Sequence, residues 1–147
     1  MIYQIFLNKI YKDNTCPFCN LNKKLIIKEN HYAILTIARA PYIKDHLLVF
    51  PKRHVIKFHN LRYKEQVGIG KLILFGMNHL HKIYPGVEVS YKEGDDLISA
   101  GKSINHMHVH LVPKKKVVHM NQVEDKRNFY PEKKVLTEVN KLKKLFG

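Results

Sequence analysis

Three histidines alternate with apolar residues in His106-Met107-His108-Val109-His110, and Leu111-Val112-Pro113 follows. In an extended chain successive side chains point to opposite sides, so residues two apart share one. The alternation therefore predicts three imidazoles along one side of a strand, with Met107, Val109 and Leu111 packed on the other. Imidazole titrates near neutral pH and can attack an electrophile, move a proton or hold a metal ion. A second cluster with chemistry of its own is Cys16-Pro17-Phe18-Cys19. Taken alone, a Cys-x-x-Cys pair fits a redox couple, half of a zinc site or two buried free thiols. The chain has only these two cysteines, so a closed metal site would have to recruit two histidines.

The elements around these residues follow from periodicity. Residues 25–28 and 31–37 are rich in β-branched and apolar side chains and predict two strands around a tight turn. Residues 46–50 form a short apolar run closed by Pro51, the pattern of a buried strand. Between 62 and 84 the apolar residues Ile69, Ile73, Met77, Leu80 and Ile83 recur every three to four positions, and Pro85-Gly86 ends the predicted long helix. Residues 87–91 alternate as a strand, Glu93-Gly94-Asp95-Asp96 makes a turn, and 105–112 is the histidine strand. Residues 132–145 predict a last amphipathic helix with Val135, Leu136, Val139, Leu142 and Leu145 on its stripe. Strands around one main helix make this an α+β domain with a meander-like antiparallel sheet, one long helix and a C-terminal helix.

Size and composition set the frame. The chain has 147 residues, enough for one core and too few for two ordinary domains. A single domain over 1–147 is expected, with residues 1–15 as an N-terminal extension and 114–147 as a basic segment carrying the last helix. No apolar stretch has the length of a membrane span. The start of the chain lacks the long apolar run and small-residue site of a signal peptide. Two cysteines three apart also argue against a disulfide scaffold, and a cytoplasmic location is expected. The formal net charge of +14 attracts polyanions, nucleotides and nucleic acid among them. Yet the lysines are scattered, with short runs at 114–116 and 141–144, and lack the aromatic interleaving that stacks single-stranded bases. A composition bias accounts for the charge better than a dedicated nucleic-acid surface does.

His-x-His-x-His followed by two apolar residues and proline resembles the histidine triad (HIT) family of nucleotide hydrolases and transferases. The resemblance extends upstream through Pro41-Tyr42, the segment from His46 to His54, and Cys16-Pro17-Phe18-Cys19. It implies an α+β fold, a homodimer and a nucleotide substrate. It also implies a structural zinc site made by Cys16, Cys19, His54 and His106, with His59 as a competing ligand five residues beyond His54. By resemblance His108 is the nucleophile that attacks the α-phosphorus, and His110 assists the phosphate or the leaving group. A histidine at position 110, where transferase relatives carry glutamine, is similar to the hydrolases. Gly101, Lys102 and Ser103, in the small-residue lead-in to the triad, are the expected phosphate-binding turn, together with His110. The function so implied is hydrolysis of dinucleoside polyphosphates or nucleoside phosphoramidates through a nucleotidyl-histidine.

Three departures keep other functions in view. Relatives usually carry an aspartate or asparagine at position 38 that holds the ribose hydroxyls, and Ala38 cannot make that hydrogen bond. Lys102 stands where glutamine or a small residue is usual and adds a cation beside the phosphates. Lys44-Asp45 replaces small residues before His46. The alternatives are removal of a nucleotide from a nucleic-acid 5′ end, motivated by the net charge, and a nucleotide-binding scaffold with weakened activity. His31, His79 and His81 are expected to be surface or satisfied residues rather than ligands.

Overall fold

The computed structural model describes residues 2–93, 104–115 and 129–147 of the chain. The lead-in Gly101-Lys102-Ser103, most of the turn at 93–96 and much of the 114–147 segment lie outside the described residues. Five antiparallel strands form one open sheet: β1 (Lys28–Glu29), β2 (Ala33–Ile37), β3 (Leu47–Pro51), β4 (Gly86–Tyr91) and β5 (Val109–Lys114). Their order is β1-β2-β3-β5-β4, so the meander of the first three strands is completed by β5, which lies between β3 and β4. The expected α+β class holds.

Three α-helices accompany the sheet among the described residues. Helix α2 (Tyr63–His81) packs on β2 and β3, and α3 (Glu132–Phe146) reaches β2 from the C-terminal side. Gly76 lets α2 come close: a Cβ there would lie 2.6 Å from Leu111 Cδ1. Leu35, Leu47, Val109 and Leu111 from the strands, Ile69, Leu72 and Leu80 from α2, and Val135, Val139 and Leu142 from α3 share one core on this helical face. The opposite face carries Ile34, Leu48 and Phe50, covered by Phe18 from the cysteine turn. Sheet alternation thus gives one face to the core and the other to the site.

Several local expectations change. Residues 25–28 do not form a continuous strand. The Asn22 side chain accepts from the Lys24 N–H at 3.0 Å and starts a 3-10 turn, Lys23–Leu25, before the two-residue β1. The stripe of the last helix uses Phe146 in place of Leu145, which is 64% exposed, because 135, 139, 142 and 146 follow the 3.6-residue period more closely. Ile83 lies beyond the end of α2 and is exposed. The N-terminal extension is itself a helix, α1 (Ile2–Asp13), which the polar break at Gln4 conceals. Gln4 instead bonds Asn8 one turn along, at 2.9 Å, while Leu7 and Ile10 are buried. Asn14 then adopts a left-handed conformation (φ 53°) and the Thr15 N–H returns to the Ile10 carbonyl, ending the helix. Among the described residues no helix is long and apolar enough to cross a membrane.

Candidate active site and metal centre

The histidine run sits where the sheet alternation sends it, although regular pairing starts only at Val109. Met107, Val109 and Leu111 join the helical-face core, and His106, His108 and His110 are buried on the other side. His110 lies opposite Leu48 on β3 and Ser90 on β4. His106 and His108 precede the strand, held by the Met107 N–H, which donates to the Val55 carbonyl at 2.7 Å. The three imidazoles divide into two groups with different neighbours.

His106 faces the cysteines. The Cys16–Cys19 turn is closed by Asn20, whose backbone and side-chain N–H groups both donate to the Cys16 carbonyl, at 3.2 and 2.9 Å. His54 arrives on the segment after β3. Its neighbour Arg53 makes two bonds to Glu65 of α2, at 2.8 and 2.9 Å, and one to the Asn60 carbonyl. Ligand atoms of Cys16, Cys19, His54 and His106 all lie within 4.8 Å of one another. His106 Nδ1 is 3.4 Å from Cys16 Sγ, 3.5 Å from Cys19 Sγ and 3.2 Å from His54 Nδ1, and Cys19 Sγ is 3.2 Å from His54 Nδ1. Tetrahedral zinc, with bonds of about 2.0–2.3 Å, sets its ligand atoms roughly 3.3–3.8 Å apart. The donor set and spacing therefore fit such an ion. The tautomer fits as well: His106 Nε2 is 2.8 Å from the Pro51 carbonyl, which can only accept, so Nε2 carries the proton and Nδ1 offers its lone pair to the cluster. Burial, with the Pro51 bond opposing and His54 and His108 adding, lowers the His106 pKa to about 4, so its ring is neutral at pH 7. Burial and the neighbouring Cys16 raise the Cys19 thiol to about 11, the cost that a bound cation would offset. His59 lies in a separate 3-10 turn, Phe58–Asn60, outside this cluster.

His108 and His110 form the second group. His108 Nδ1 donates to the His106 carbonyl at 2.7 Å, which makes Nε2 the lone-pair nitrogen. Phe18 packs edge-on to the His108 ring, with centroids 5.2 Å apart. His110 belongs to a chain of bonds that the sequence reading did not anticipate. The Tyr42 N–H donates to His46 Nδ1 at 3.1 Å, so His46 Nε2 carries a proton and donates it to His110 Nδ1 at 2.9 Å. His110 Nε2 is then the protonated nitrogen of a neutral ring. His46 is 1% exposed, and Tyr42 stacks on it at 5.0 Å. Its only signal in the sequence is a histidine opening a run otherwise destined for the core. Asp45 beside it has φ 68° and accepts from Tyr84 Oη at 2.5 Å, which fixes the turn that departs from the family pattern.

A cavity of about 170 Å³ opens in front of His46, His108 and His110. Phe18, Leu25, Ile37 and Leu48 give it an apolar floor, and Lys92 stands in its wall. Ala38 lines it too, without a side-chain hydrogen bond. His79 instead packs between Phe75 and Phe146, with ring centroids 4.4 and 4.7 Å away, and His31 and His81 are exposed.

The HIT domain family matches residues 20–117, two thirds of the chain, a span that holds His46, His54 and the three triad histidines, with Cys16 and Cys19 just before it. The chain belongs to the HIT domain family. A HIT-like protein of Mycoplasma genitalium, itself uncharacterised, is 30% identical over 105 residues, 69% of this chain and 74% of the relative. Two solved structures share the fold. Plasmodium falciparum diadenosine triphosphate hydrolase superposes with TM-score 0.67 at 17% identity, covering 84% of this chain and 77% of the other. A zinc-bound histidine triad protein of Mycobacterium smegmatis gives TM-score 0.68 at 16% identity over 90% and 94% of the two chains. This HIT protein thus combines the family's fold with a Cys2His2 cluster that could hold a metal and a separate group of buried histidines at a cleft.

Proposed function

We propose that this HIT protein is a nucleotide hydrolase, acting at the α-phosphate of dinucleoside polyphosphates or nucleoside phosphoramidates with His108 as nucleophile. The observation that carries this is the pair of opposed tautomers at the cleft: a lone-pair nitrogen on His108 beside a proton-bearing nitrogen on His110. The His108 Nε2 lone pair attacks phosphorus, a P–N bond forms and the bond to the leaving group breaks. The His110 Nε2–H donates a hydrogen bond to the departing atom, while His46 steadies the ring. That atom leaves with the bonding pair as a phosphate oxyanion or, where it is nitrogen, as an amine that takes its proton from water. The nucleotidyl-imidazolium keeps its Nδ1–H on the His106 carbonyl. Its positive charge weakens the P–N bond, and water attacks phosphorus: a P–O bond forms, the P–N pair returns to His108 Nε2 as neutral imidazole, and the water proton passes to solvent as the nucleoside monophosphate leaves. Gly101, Lys102 and Ser103 are the proposed phosphate-binding residues that complete the site, with Lys92 as a further cation in its wall.

Zinc is the proposed metal of Cys16, Cys19, His54 and His106. Four protein ligands leave no position for water, so the ion supplies a structural staple rather than a Lewis acid. The proposed partner is a second copy of the chain. Among the described residues the outer edge of β4 faces no other strand, and Val89 and Leu74 are 42% and 61% exposed, which supports it. The test is to incubate the purified protein, beside His108→Ala, with diadenosine tetraphosphate and with adenosine phosphoramidate while AMP is followed. Release by the native chain alone supports the assignment. Equal release by both chains sinks it.

A further inference from the structure

Both ends of the chain lie outside the matched HIT segment, and they meet over the cleft. Arg39 follows the buried Ala38, and its guanidinium carbon sits 5.0 Å from the ring centre of Phe6 on α1 and 4.8 Å from that of Phe129. Tyr3 stacks against both rings, at 6.3 and 5.7 Å, and Phe6 and Phe129 are 5.1 Å apart. The arrangement is locked through the backbone: the Tyr130 N–H donates to the Arg39 carbonyl at 2.5 Å, and Arg39 Nε donates to the Tyr130 carbonyl at 3.3 Å. Leu7 and Ile10 already seat α1 by burial. Tyr3 and Phe6 are only half-buried, belong to neither apolar core, and line the same cavity as His108 and His110.

The cleft is consequently graded, with imidazoles and Lys92 at one station, apolar side chains along its floor, and aromatic rings with a guanidinium plane at another. A nucleotide has the same grading, an anionic phosphate, a sugar and a planar heterocycle. Bases stack well on aromatic faces and guanidinium planes. We propose that α1 is the base-binding wall of the cleft, with Tyr3 and Phe6, held by Arg39 and Phe129, packing against the base of a nucleotide whose phosphate meets His108. The proposal rests on the nucleotide reading of the site. It makes Tyr3 and Phe6 specificity residues, with no part in the bond-breaking steps.

Calorimetric titration of the full chain with AMP and with ribose 5-phosphate separates the two ideas, because the ligands differ only by the base. Tyr3→Leu/Phe6→Leu keeps apolar volume on α1 but removes both rings. The expected result is that the native chain prefers AMP, and that the double variant loses about tenfold in AMP affinity with ribose 5-phosphate unchanged. Unchanged AMP affinity overturns the proposal, as does an equal loss for both ligands, which would mean a purely structural α1. If thermal melting shows the double variant to be unfolded, Tyr3→Leu alone decides, with a smaller base-dependent loss of about threefold expected and no loss overturning the proposal. A native chain that binds neither ligand removes the nucleotide reading itself, and the wall with it.

Discussion

His106 and His108 are the same residue type, two positions apart on the same side of the chain, yet they present opposite nitrogens. The Pro51 carbonyl takes the Nε2 proton of His106 and turns Nδ1 toward the cysteines. The His106 carbonyl takes the Nδ1 proton of His108 and makes Nε2 the lone-pair nitrogen. A backbone oxygen in each case decides which nitrogen has chemistry left to do. One ring becomes a ligand candidate facing two thiols, and the next becomes a nucleophile candidate facing a cleft. Repeating a residue type along a strand therefore does not repeat its function. The hydrogen-bond partner of the other ring nitrogen sets it.

The hardest test of this division is to remove one ring at a time. His108→Ala is expected to lower turnover by about 10³-fold or more while metal content and thermal midpoint stay near native. His106→Ala is expected to do the reverse at the level of structure, losing metal and stability together. Metal analysis and melting curves of the two variants check this, and a His108→Ala chain that also loses its metal would erase the distinction.

Next in size is the pair of thiols. Cys16→Ser/Cys19→Ser should reduce bound zinc from about one per chain to none and lower the thermal midpoint by on the order of 10 °C. The thiols contribute no reacting atom to the proposed mechanism, so any residual activity of the folded fraction should keep its KM. A native protein purified without zinc, as stable as after zinc addition, would show the cluster to be a dithiol beside two imidazoles.

His46 sharpens the reactive half. His46→Ala removes the group that orients His110 and fixes its tautomer, and should cost about 10–100-fold in kcat with metal content unchanged. The loss should be larger for substrates with a poor leaving group, because that is where the His110 proton matters. Equal losses across leaving groups would reduce His46 to packing.

The sequence made the alternation of His106, His108 and His110 legible because sheet geometry has a period of two, and the outward and inward sets fell where that period puts them. Residues 46–50 and 62–84 were readable for the same reason, an apolar period with clear stops. His46 was not, since nothing local marks a buried histidine whose partners are 4 and 64 positions away. Helix α1 was hidden because Gln4 breaks its apolar face while bonding Asn8, and because Tyr3 and Phe6 are held by Arg39 and Phe129, contacts far away in the chain. The Cys-x-x-Cys pair stayed ambiguous on its own. Only the placement of His54 and His106 beside it makes a four-ligand set that could hold a metal.

The smallest expected effect comes from the brace behind His54. Glu65 is 3% exposed and accepts from Arg53 twice and from the Arg62 N–H at 2.8 Å, so it ties the segment carrying His54 to the first turn of α2. At His108 the orienting group is the His106 carbonyl. The bonds to Arg53 above all, with that to Arg62, hold the Glu65 carboxyl below its usual range. A depressed carboxylate pKa stabilises the fold above the unfolded value near 4.5, and that contribution is lost as the pH falls through the folded value. Glu65→Gln should therefore cost about 1–2 kcal/mol at pH 7 and flatten the acid limb of the stability curve below about pH 4.5. Turnover should stay within about twofold, because the brace holds the segment of the candidate metal cluster and not the proposed nucleophile. Denaturant melts across pH 3–7 measure the first effect and AMP release the second. A larger fall in turnover than in stability would mean that the two halves are mechanically joined through His54 and His106.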